Sequence, residues 1–68
     1  MYIVIEFQKS ASDQLATLAS SHATRLDAEE KFHQVLSYAA KSTLLLHGAS
    51  LLTEEGELLK RECYRHDE

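Results

Sequence analysis

Residues 14–23, QLATLASSHA, decide the fold of this chain. Leu15, Leu18, Ala19, His22, Ala23 and, just beyond, Leu26 fall at helical spacing, so one helix could run from Asp13 almost to Lys41. Against that, the stretch is dense in Ser and Thr, which compete for backbone hydrogen bonds and weaken a helix interior. A strand at the start of the chain also needs a neighbour, and a return strand through Leu15–Ser20 supplies one. Periodicity alone leaves the two readings balanced.

The flanks are clearer. Tyr2–Gln8 (YIVIEFQ) alternates, with Ile3, Ile5 and Phe7 on one face and Tyr2, Val4, Glu6 and Gln8 on the other, the pattern of a half-buried strand. Lys9–Asp13 (KSASD) is a polar turn. Asp27–Ser42 (DAEEKFHQVLSYAAKS) reads as a helix, with Thr24 or Asp27 as N-cap and Asp27, Glu29 and Glu30 opposing the positive end of its dipole. Lys41 suits its other end. Ala28, Phe32, Val35, Leu36, Ala39 and Thr43 form the stripe expected of a helix lying on a sheet. Glu29, Lys31, Gln34, Ser37 and Lys41 look outward.

Thr43–Thr53 and Glu57–His66 are two strands joined through Glu54-Glu55-Gly56. A three-residue loop with Gly56 left-handed gives a type I turn with a G1 bulge and pairs Thr53 with Glu57. That register sets Leu51 opposite Leu59, Ala49 opposite Arg61 and His47 opposite Cys63 on one side of the hairpin. Leu52 then faces Leu58, and Leu46 faces Tyr64, on the other. The side carrying Ala49, Leu51, Leu59 and Cys63 is assigned to the helix. Leu46, Leu52, Leu58 and Tyr64, joined by Tyr2 and Val4, are left as candidate interface residues of a sheet-mediated homodimer, since they exceed the apolar surface a small monomer usually exposes.

The segment A-E-E-K-F-H-Q-V-L-S-Y-A-A-K-S, followed by His47, L-L-T-E-E-G and E-C-Y-R-H, resembles a group of short bacterial proteins of the Firmicute, phage or mobile-element type. The likeness is carried by Ala28, Glu29, Lys31, Phe32 and His33 at the helix start and by Ala39, Ala40 and Ser42 at its end. It implies strand, strand, helix, hairpin, and so tips residues 14–23 towards strand. No activity comes with it.

Sixty-eight residues make a single domain, 1–68, with a small core; a chain of this size buries roughly 60% of its unfolded surface. One cysteine, Cys63, cannot close an internal disulfide, which together with the lack of a signal-like N-terminus fits a cytoplasmic protein. No apolar run approaches the roughly 20 residues needed to span a bilayer. A net charge of −4 argues against non-specific nucleic-acid binding, and Lys60, Arg61 and Arg65 are the only clustered bases.

Few constellations carry chemistry. Glu30-x-x-His33 occurs once, where carboxylate-bridged metal bundles need it twice, so an acidic first turn with a flanking histidine explains it better. His47 opposite Cys63, with His33 approaching from the helix, is the candidate metal or thiol site. The plainer alternative is that Cys63 packs as a small core residue and His66 is a frayed, solvent-facing end. Glu6 is expected to form a surface ion pair with Lys60 or Arg61, worth about 0–1 kcal/mol. Glu54, Glu55 and Glu57 read as a solvated hairpin tip. There is no Gly-rich phosphate loop, no proline for tautomerase-type chemistry and no supported Ser-His-Asp set. No catalytic residue, metal or cofactor is assigned. The expectation is an α+β domain, a four-stranded antiparallel sheet with one helix in order ββαββ, acting as a non-enzymatic binding module that forms a homodimer and engages another protein. A metal- or thiol-dependent site and a nucleic-acid-binding role are the alternatives.

Overall fold

Within residues 14–23, Leu15–His22 folds as a strand, which gives the chain its ββαββ order. A computed structural model describes residues 1–12 and 14–66; Asp13, at the end of the expected polar turn, lies outside them. The elements are β1 (Tyr2–Lys9), β2 (Leu15–His22), α1 (Arg25–Ala39), β3 (Leu46–Thr53) and β4 (Leu58–Arg65). They form a four-stranded antiparallel sheet in the order β2-β1-β3-β4, with α1 across one face. No helix among the described residues is long and apolar enough to cross a membrane.

The helix begins two residues before Asp27 because Thr24 takes the cap. Its backbone is extended and its Oγ1 accepts the Asp27 N–H at 3.2 Å. It ends at Ala39 rather than Ser42, since the N–H groups of Lys41 and Ser42 tighten back onto the carbonyls of Tyr38 and Ala39. Lys41 and Thr43 therefore fall outside the helix, and Thr43 is exposed rather than part of the buried stripe. The Ala39 carbonyl is also met by His66 Nε2 at 3.1 Å, while the His66 N–H donates to the Leu45 carbonyl at 2.8 Å. His66 is thus tethered at the helix end and stacks on Tyr64, contrary to the expected frayed position.

Gly56, with φ +93°, makes the expected hairpin turn: its N–H donates to the Thr53 carbonyl and the Thr53 N–H to the Glu57 carbonyl, each at 2.9 Å. Leu52 pairs with Leu58 as the turn dictates. One residue further on the register slips, and Leu51 pairs with Lys60. Leu59 is the inserted residue of a bulge, and both Leu59 and Lys60 lie on the helix side: Leu59 packs on the core and Lys60 Nζ reaches Glu29 at 3.3 Å. Every later pair moves by one, so Tyr64 rather than Cys63 stands opposite His47, and Cys63 stands opposite Gly48.

Directly paired residues share a face, so the register sorts the whole sheet. Under the helix lie Val4, Ala49 and Leu51, packed on Ala28, Phe32 and Val35, with Tyr2, Leu36 and Leu59 at the margin. Ala28, Ala39 and Ala49 are fully buried, and their small side chains let helix and sheet approach closely. Three of the expected interface residues are thereby corrected. Val4 is 1% exposed in the core, Tyr2 packs against that core, and Tyr64 sits on the helix side through its pairing with His47. Cys63, expected under the helix, lies on the opposite face.

Candidate functional site

The face away from the helix is built of four rows. Ile3, Leu52 and Leu58 form the first, Ile5, Ser50 and Arg61 the second, Phe7, Gly48 and Cys63 the third, and Lys9, Leu46 and Arg65 the fourth. Strand β2 extends them with Ser21, Ala19, Thr17 and Leu15. Leu46, Leu52 and Leu58 therefore stand on this uncovered face. Ile3, Ile5 and Phe7 stand there with them, a reversal of the expectation that set Tyr2 and Val4 on this face and so turned these three towards the helix. Leu58 is exposed, and the others are half-buried only by their neighbours in the sheet.

Gly48 shapes the middle of this face. A Cβ there would lie 2.4 Å from the Glu62 carbonyl oxygen, 2.8 Å from Cys63 Cα and 2.9 Å from Phe7 Cζ. Phe7 thus lies across the glycine, filling the space that a side chain would occupy. The result is an apolar surface with its one aromatic ring held low.

The charges on this face are of one sign. Lys9, Arg61 and Arg65 stand on it, Lys9 and Arg65 each already engaged in an interaction, and the strand residues on that side include no carboxylate. The acids among the described residues lie elsewhere: Asp27, Glu29 and Glu30 on the helix, Glu54, Glu55 and Glu57 at the hairpin tip, and Glu6 and Glu62 on the helix side of the sheet. The uncovered sheet face is therefore apolar, with the Arg61 guanidinium in its second row. The three bases grouped by sequence do not form one patch, because Lys60 faces the helix and is engaged by Glu29.

Between sheet and helix is a polar arrangement the sequence did not announce. His47 is buried, and its Nε2 lies 2.6 Å from Glu6 Oε2, which also accepts from Gln8 Nε2 at 2.9 Å. A carboxylate only accepts, so Nε2 carries the proton in this contact. His47 Nδ1 is buried without a partner among the described residues. Burial pushes the Glu6 carboxyl upward, but the hydrogen bonds from His47 and Gln8 and the charges of His47 and Lys31 outweigh it, holding Glu6 below the usual carboxylate range. Glu6 is therefore part of an internal pair, not the surface partner of Lys60 or Arg61.

Beside Glu6 a shallow recess of about 150 Å³ opens towards β2, lined by Val4, Glu6, Leu18, Ala19, Ser20 and Lys31. Ser20 Oγ and His22 Nε2 lie 2.9 Å apart at its margin. Two side chains two apart on a strand face meet routinely, and among the described residues no third group is bonded to this histidine to orient it as a base.

His33, His47 and Cys63 do not come together. His33 is exposed on the outer side of α1, His47 is buried under it and Cys63 lies on the far face of the sheet. No group of three metal-ligating side chains occurs among the described residues. The bulge at Leu59 is the physical reason, because it carries Cys63 out of register with His47. Comparison of the chain with protein-family models, curated proteins and solved structures gives no match, so the geometry carries the functional reading.

Proposed function

We propose that this chain is a small cytoplasmic binding module whose uncovered sheet face engages an acidic, amphipathic segment of another protein. The supporting observation is the composition of that face. Ile3, Ile5, Phe7, Leu52 and Leu58 offer apolar contact, and the Arg61 guanidinium stands among them. A helix or strand with one apolar stripe bordered by Asp and Glu complements this surface in both respects. The face is less suited to a second copy of itself, which would add cations and bring no carboxylate. It is also mainly aliphatic, with Phe7 as its aromatic ring, where single-stranded nucleic-acid sites rely on several stacking platforms.

The test is a chemical-shift titration with a synthetic amphipathic peptide bearing Leu and Glu, alongside its Lys-for-Glu counterpart and a single-stranded RNA oligomer. Shifts centred on Ile5, Phe7 and Ser50, produced by the acidic peptide and abolished by Arg61→Glu, are expected. Stronger binding of the RNA, or shifts confined to α1, would overturn the reading.

A further inference from the structure

We infer that this chain self-associates edge to edge, its β2 pairing antiparallel with β2 of a second copy to make one continuous eight-stranded sheet. The inference deepens the reading of the chain as a binding module and names its self-association surface. The two free edges of the sheet are β2 and β4, and they differ sharply. Strand β4 carries Lys60, Arg61, Glu62 and Arg65 and is bent by the bulge at Leu59, the devices by which edge strands avoid further pairing. Strand β2, LATLASSH, has no Asp, Glu, Lys, Arg or proline, and its register with β1 is unbroken over all eight residues. Its outward backbone groups form a straight, uncharged template, along which a second β2 meets no like charge.

The side chains select both the occupant and the register. Leu18 is 63% exposed on the helix side of β2, beside the recess it shares with Glu6 and Lys31. A two-fold axis perpendicular to the sheet at Leu18 sets this residue against its own copy and places Ala16 opposite Ser20 of the second chain. Both leucines are then covered. In the neighbouring register Leu18 would face Ser20 instead, and the apolar contact is lost. The outer edges of the joined sheet are the two protected β4 strands, so assembly closes at two copies. Both helices lie on one side, and the uncovered apolar faces become continuous on the other.

The experiment is sedimentation together with disulfide trapping in a Cys63→Ser background. Leu18→Cys is expected to cross-link between copies under mild oxidation, whereas Ser50→Cys, in the middle of the uncovered face, is not. Leu18→Lys is expected to sediment as a monomer at micromolar concentrations, with its circular dichroism spectrum unchanged because Leu18 is already largely exposed in the single chain. Cross-linking at Ser50 in place of Leu18, or a dimer that survives Leu18→Lys, overturns the edge pairing. A wild-type chain that sediments as a monomer yet still binds the acidic peptide overturns it too, and leaves the binding reading intact.

Discussion

Gly48 and the Glu6–His47 pair are the residues whose side-chain chemistry the tertiary structure constrains most. At Gly48 the obstacle to a methyl group is mostly backbone, the Glu62 carbonyl and Cys63 Cα, which cannot rotate away as a side chain can. Gly48→Ala is therefore expected to cost about 1–3 kcal/mol through overpacking, read as a lower midpoint in urea with an unchanged slope. A midpoint equal to wild type would show that β3 and β4 separate easily there. For the buried pair, removing one partner is worse than removing both. Glu6→Ala leaves His47 with neither ring nitrogen bonded and should cost about 1–3 kcal/mol, whereas the Glu6→Leu, His47→Leu double variant should recover much of that loss. The pair also has a pH signature. Because the Glu6 carboxyl is held below its unfolded value, its contribution is complete above the ordinary glutamate range and disappears as pH falls through the lowered value. Glu6→Gln should accordingly flatten the acid limb of the stability profile; an acid limb identical to wild type would remove the ion pair from the account.

Among the elements, β4 is the one that a single inserted residue redirects. The bulge gives Leu59 and Lys60 the same side of the sheet, so one fills the core margin and the other reaches Glu29. Deleting Leu59 removes the extra residue while leaving both flanking registers available, Leu52 with Leu58 and Leu51 with Lys60. The expected outcome is a destabilisation of about 1–2 kcal/mol, the loss of one partly buried leucine, with Gly48 and Cys63 still neighbours by cross-strand nuclear Overhauser effects. Appearance of a His47–Cys63 contact in that variant would mean that the bulge does not set the register. Strand β2 shows the opposite economy. Its alternation is weak because most of its side chains are exposed on both faces, and it is held to the molecule chiefly by its ladder with β1. An element of that kind is legible as a strand only through its neighbour.

At the scale of the whole molecule, one helix covers one face of a sheet that has two. The buried core is small, with Leu51 and Val4 as the largest fully buried side chains, so under the proposed edge pairing the stability gained by association is a large fraction of the total. Under the proposed edge pairing through β2 the melting temperature is expected to rise with protein concentration, and Leu18→Lys should abolish that dependence. The two proposals separate two tasks: under them the edge joins copies and the faces, left free and aligned, are expected to meet the acidic partner twice, so that a linked pair of peptides should bind with avidity over a single one.

By itself the sequence determined the strand at 2–8, the buried stripe through Ala28, Phe32, Val35 and Ala39, and the Gly56 turn, because each is written in local periodicity or in one residue's backbone freedom. The helix start was legible too, since Thr24 was one of two capping candidates. Tertiary structure alone decided which side of β1 is covered, where β4 slips, and hence that His47 meets Glu6 and Tyr64 rather than Cys63. The physical reason is the two-residue period of a strand. Ile3, Ile5 and Phe7 are all apolar, and Tyr2 and Val4 give the opposite face apolar surface beside Glu6, so β1 offers two faces that a helix could cover. The helix chose the one that let Val4 and Leu51 meet Phe32. A one-residue bulge then exchanged the faces of β4 from Lys60 onward, a change that no local pattern in that strand records.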